Sequence, residues 1–280
     1  MPDLSDDQRE LLLDALAEHT QRNARPFVAE RIIEANEVYF PDAFRRDAES
    51  LATIAARMIV YAGLDDCTVD VTLDSAAGDS RAMLPRTRIE LAGVEDQVVF
   101  FSCLELGQKK DAVLCLAHEV ARAALLVRQL EGQDGPYRAT SRRTELVAPA
   151  DTDEERINAS VYASYLGLGV LSAQGSHEYR QAGRMQGQVP VSEWQHVRYG
   201  GLDPEDTSYL LAVQLVVRAV DGTRLDRLLA PLSDERQSEV RAEMRKLDRE
   251  TLIERLGLPP IETWPKEVPA KADEIEDEEE

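Results

Sequence analysis

A chain of 280 residues that is 43% hydrophobic can build a sizeable core, and with only 5% aromatics that core must rest on Leu, Val, Ile and Ala. Its formal net charge of -21 creates a field that repels polyanions, so neither nucleic acid nor an anionic membrane surface is an expected partner. No stretch reaches the roughly 18 consecutive apolar residues of a membrane span, so none is expected.

The N-terminal stretch Met1–Glu18 is acidic and lacks the basic and apolar regions of a secretory signal, which points to a cytoplasmic location. Ser5 opens a first helix, with Asp6 and Asp7 in its first turn and Leu11, Leu12, Ala15 and Leu16 on one apolar face. Pro26 lies beyond its end. Tyr39-Phe40-Pro41-Asp42 reads as a loop with two aromatic anchors. A second helix spans about Asp47 to Tyr61, with Leu51, Ile54, Ala55, Met58 and Ile59 at helical spacing and Gly63 as its C-cap. The period then falls to two, and Thr68–Leu73, Arg86–Leu91 and Gln97–Ser102 read as strands of a small, mainly antiparallel sheet.

Lys109–Leu130 is the strongest helical pattern, with Val113, Leu116, Ala117, Val120, Ala124 and Leu125 along one stripe. The polar stretch Gly132–Ala150 reads as a loop. Asp151 or Thr152 caps a helix running to about Ala173, with Asp153, Glu154 and Glu155 in its first turn and Gly167 and Gly169 inside it. Gly183–Gly201 reads as a loop containing Trp194. Pro204, at the first helical position after Asp203, starts a helix ending near Gly222, and two short helices fill Leu225–Leu256. The expected organisation is one domain over 1–258, with a helical C-terminal extension from about 203 to 258. A Pro-rich, acidic, disordered tail follows over 259–280. The three cysteines, Cys67, Cys103 and Cys115, are too few and too scattered for a disulfide framework.

Chemistry is suggested at one place, His118-Glu119-Val120-Ala121-Arg122 in the strong helix. Zinc peptidases use His-Glu-x-x-His, because residues four apart share a helical face and two imidazoles can hold one zinc while the Glu acts as general base. Here Arg122 takes the second imidazole's position, and a guanidinium has no lone pair to offer a metal. The same residues are equally the polar face of an amphipathic helix, with Glu119 and Arg122 paired at i, i+3.

Several stretches resemble a family of bacterial zincin-like proteins. They are Phe40-Pro41-Asp42, the helix end Met58–Leu64, the segment Leu114–Leu126, and Val161–Val170; together they span roughly residues 35 to 220. The resemblance implies a zincin-like α+β fold: the small sheet packed with several helices, and a helical C-terminal part. It also implies an acidic third ligand from the downstream helix, at the position of Ser160. Two of the three expected ligands, at Arg122 and Ser160, are thus replaced, leaving a vestigial site of His118, Glu119, Arg122 and Ser160.

Three functional expectations follow. The first is a catalytically inactive, pseudo-metallopeptidase protein that binds or scaffolds a protein or peptide partner and needs no cofactor. The second is a metal-dependent hydrolase with atypical zinc ligands drawn from His118, Glu154, Glu155 and His177. The third is a helical adaptor unrelated to zincins, whose acidic tail contacts a basic partner.

Overall fold

The computed structural model of the chain describes residues 5–29, 32–45, 47–62, 67–73, 86–92, 96–103, 113–114, 116–122, 124–125, 144–146, 153–175, 178–186, 189–197 and 201–265. Gly63, Cys115, Asp151, Thr152, most of the 132–150 loop and the acidic tail from Lys266 onward lie outside these residues.

Helix α1 (Asp6–Arg22) begins where Ser5 Oγ accepts a hydrogen bond from the Gln8 amide at 3.2 Å. Its buried positions are Leu12, Leu13, Leu16, Ala17 and Thr20, a stripe of helical period. Leu11, expected on that face, is 57% exposed, because the core lies one position further round the helix. A short α2 (Arg25–Ala29) buries Phe27 and Val28. Helix α3 (Ala48–Tyr61) is capped by Asp47, whose carboxylate accepts from the Ser50 amide at 2.8 Å. Its expected face, Leu51, Ile54, Ala55, Met58 and Ile59, is buried. The two loop aromatics dock onto its end: the Tyr61 ring lies 5.8 Å from Tyr39 and 6.1 Å from Phe40, and the Tyr61 hydroxyl donates to the Tyr39 carbonyl at 2.7 Å. Arg57 fastens the same loop through an ion pair with Asp42.

Helix α4 comprises the helical residues described between 113 and 125, and it buries Val113, Leu114, Leu116, Ala117, Val120, Ala121 and Ala124. The next helix is two helices, α5 (Asp153–Tyr165) and α6 (Gly169–Gly175). Gly167 separates them at φ 87°, and the bonds Leu168 N to Ala163 O (2.9 Å) and Gly167 N to Ser164 O (3.2 Å) complete a Schellman stop. The freed Gly167 carbonyl then accepts from the Ile33 amide at 2.9 Å, tying the α2–α3 connection to this corner.

Helix α7 (Pro204–Val217) is buried nearly all round, from Tyr209 through Leu215 and at Val217. A helix apolar on every side must be surrounded, and α7 packs against α1, α5, α6, α9 (Asp234–Lys246) and α10 (Arg249–Arg255). The segment expected as an extension is therefore the centre of the helical body. Three helices, not two, follow it: α8 (Gly222–Leu229), α9 and α10. Fresh N-caps at Ser233 and Asp248 start the latter two, each accepting from a backbone amide three residues on. After α10, Ile261–Thr263 forms a 3-10 turn, and the Trp264 indole donates to the Pro259 carbonyl at 2.8 Å beneath the Arg249 guanidinium.

Extended backbone is traced in β1 (Cys67–Leu73), β2 (Arg86–Ala92), β3 (Asp96–Cys103) and β4 (Thr144–Leu146), laddered in the order β1-β3-β2-β4 with β1 parallel to β3. β5 (Glu178–Gln186) and β6 (Val189–Val197) form a separate antiparallel pair, where a loop was expected. The buried core described for the chain is built from helices and the connections between them. The expected fold class, a zincin-like α+β arrangement with a sheet packed against helices, is corrected accordingly. The described core is all-α, with α7 at its centre and α1, α5, α6, α9 and α10 packed against it. The physical reason is α7 itself. A helix buried on every side needs partners all round, and helices supply them, so the core forms by helix-on-helix packing. No helix among the described residues is long and apolar enough to cross a membrane.

The end of α7 carries a testable strain. The bonds Ala219 N to Val216 O and Val220 N to Leu215 O repeat the Schellman stop, but with alanine at φ 52°. A Cβ disfavours this conformation by about 1–2 kcal/mol, offset in part by the extra chain entropy that glycine loses on folding. Ala219→Gly is expected to stabilise the fold by up to about 1 kcal/mol, read as a higher melting temperature. A lower one would mean that the alanine methyl makes packing contacts outweighing the strain.

Candidate functional site

Helix α4 carries His118 and Arg122 one turn apart on its partly exposed side, while Glu119 turns inward and is buried. The pentapeptide is thus not a wholly solvated polar face. Seven residues of α4, Val113 to Ala124, belong to the main core cluster, and Leu114 meets the far end of α6, where a Cβ on Gly175 would lie 3.0 Å from the Leu114 Cβ.

Ser160, the position at which the resemblance implies a third ligand, is buried in the middle of α5. Its hydroxyl is committed twice, donating to the Arg156 carbonyl and accepting from the Gly201 amide, each at 2.9 Å. The second bond exists because Gly201 lies flat on α5. A Cβ at Gly201 would fall 2.2 Å from the Arg156 carbonyl carbon and the Ile157 nitrogen. Ser160 is therefore a staple between α5 and the segment entering α7. Glu154 is exposed in the first turn of α5, while the side chain of Glu155 and all of His177 lie outside the described residues. Among the described residues no group of three or more His, Cys, Asp or Glu side chains could hold a metal ion. A guanidinium at Arg122 has no lone pair to give a metal, and the Ser160 hydroxyl is engaged in two hydrogen bonds.

Two polar constellations were not anticipated from the sequence. His19 lies in the seam between α1 and α5, its ring 4.8 Å from Tyr162 and 5.6 Å from Tyr165, and the two tyrosine rings are 4.9 Å apart. The Tyr165 hydroxyl donates to the Asn23 carbonyl at 2.7 Å, just past the end of α1. The available signal was the i, i+3 pair Tyr162–Tyr165, which marks an aromatic face but does not say which helix covers it. The second constellation joins α1, α7 and α9. Arg9 donates to both oxygens of Glu243, at 3.3 and 3.0 Å, and Lys246 reaches Glu243 at 2.9 Å. Beside them the Ser208 hydroxyl donates to Glu239, which also pairs with Arg236. Asp206 is buried and held above its ordinary pKa, chiefly by desolvation, with Gln8 within 3.5 Å.

Comparison with known proteins finds no family model, no curated protein and no solved structure that matches the chain.

Proposed function

We propose that the protein works by binding a protein or peptide partner and performs no zinc-peptidase chemistry. The observation that carries this reading is the double commitment of the Ser160 hydroxyl, to the Arg156 carbonyl and the Gly201 amide. The residue that would complete a metal site is occupied in holding two elements together. Arg122 supports the same reading, since it places a permanent cation where a second imidazole would be needed. On this reading the helical body serves as a scaffold. The net charge of -21 favours a basic partner segment, drawn in by long-range attraction.

Zinc titrated calorimetrically into protein purified without a metal-affinity tag should bind at well below one ion per chain. Stoichiometric binding, abolished by His118→Ala, would overturn the proposal and favour a hydrolase using His118 with Glu154, Glu155 or His177. The partner chemistry is checked with a fluorescent peptide rich in lysine and arginine. It should bind saturably at low ionic strength and dissociate as salt is raised. Absence of saturable binding at low salt removes the basic-partner assignment.

A further inference from the structure

We propose that the His19–Tyr162–Tyr165 seam is an acid-sensitive latch, which holds the C-terminal half of α1 against α5 and, through α1, keeps α10 in place. The geometry places one protonatable ring in an otherwise neutral aromatic contact. From α5 the groups facing it are the rings of Tyr162 and Tyr165. From α1 itself the charge acting on it is that of Arg22, one turn on and of the same sign an imidazolium would have; Glu18 is exposed. From α10 the contact to this turn is uncharged: the buried Thr20 hydroxyl donates to the Leu256 carbonyl at 2.6 Å. Further along, Gly257 packs on Gln21, where a Cβ would come within 2.9 Å of the Gln21 Cγ. Thr20 is thus flanked by the latch on one side and by its bond to the end of α10 on the other. Loss of the His19 contact loosens the turn that carries both.

The opposing influences are the α1 dipole and the tyrosine π faces, both of which favour a cation at this position. Burial works the other way and is the largest influence, with Arg22 adding to it, so the imidazole is held down from 6.5 to about 4. The folded value lies below the unfolded one, so the latch contributes fully above pH 6.5 and is lost as pH falls towards 4. A displacement of that size weakens closure by about two orders of magnitude across the window. At the other end of α1, Asp206 acts with the opposite sign, because burial raises its pKa and acid relieves the cost of its charge. The exposed pairs of Arg255 with Glu10 and Asp14 also weaken in acid, wherever those carboxylates take up protons. A control at His19 itself is therefore required.

Amide hydrogen exchange on the full chain supplies the test. After correction for intrinsic chemistry, residues 12–22 should open at least about tenfold more at pH 4.5 than at pH 7, and His19→Phe should remove that difference. The imidazole resonance lost in His19→Phe identifies His19 in a proton titration of the wild type. It should titrate well below its ordinary value. An unchanged acid response in His19→Phe overturns the latch, and so does titration of His19 at or above 6.5. Should the variant fail to fold, through-space contacts with the Tyr162 and Tyr165 ring protons assign His19 in the wild type alone, and the titration still decides.

Discussion

Gly201→Ala is expected to cost about 3 kcal/mol, near the top of the range for overpacking, because the atoms in the way are backbone. The new methyl would sit 2.2 Å from the Arg156 carbonyl carbon and the Ile157 nitrogen, and 2.6 Å from the Arg156 oxygen. No rotamer of a neighbour can relieve this. Either the 201 segment lifts away from α5 or the helix bends, and in the first case the Gly201 amide loses its bond to Ser160. For a chain of this size the loss corresponds to a fall in melting temperature on the order of 10 °C. Ser160→Ala strikes the same contact more gently, removing the acceptor of a part-buried amide at a cost of about 1–3 kcal/mol. The two changes should be less than additive, since both break one bond. Melting of Gly201→Ala within about 1 °C of the wild type would show that the segment does not lie on α5, and with it the structural role of Ser160 would fall.

Removal of Arg9 is the second large effect expected. Glu243 is buried on α9, and the Arg9 guanidinium reaches across from α1 to both its oxygens while lying 5.9 Å from the centre of the Tyr209 ring. Arg9→Met keeps much of the apolar stem but leaves the carboxylate with Lys246, whose side chain is 44% exposed and therefore a weaker, screened partner. A loss of about 2–3 kcal/mol is expected, less than the 3–5 found when a buried pair loses its only partner. Arg9→Met combined with Glu243→Met should cost less than Arg9→Met alone, because the buried carboxylate left with only the screened Lys246 is then gone. Chemical denaturation of the four proteins of the cycle gives the coupling directly. Strict additivity would mean that the pair contributes nothing beyond its separate side chains.

What could be read from the residue order was local. Ser5, Asp47 and the Asp203-Pro204 pair start helices where their side chains or rings suit a helix N-terminus. The face of α3 was legible because five apolar residues recur at helical spacing, and so was the stripe of α4. These features depend on neighbours within a turn or two, and periodicity records them without reference to the rest of the chain. The departure of the motif from a zinc site was equally plain, since Arg122 lacks a lone pair in any fold. Packing between distant segments leaves no such trace. Gly167 inside an apolar run is compatible with a continuous helix or with a stop. It becomes a stop through its left-handed φ and two reversed backbone bonds, and its carbonyl then serves the Ile33 amide. The all-α body follows from α7, whose uniform apolarity says only that it must be covered; that α1, α5, α6, α9 and α10 cover it is a matter of competition for buried surface. Ser160 could be placed on a helix from its neighbours, yet its role rests on Gly201, 41 positions away in sequence. His19 likewise resembles any histidine near the end of a helix until α5 brings two tyrosine rings against it. In each case the deciding partner lies far along the chain, and only the folded arrangement brings the two within bonding distance.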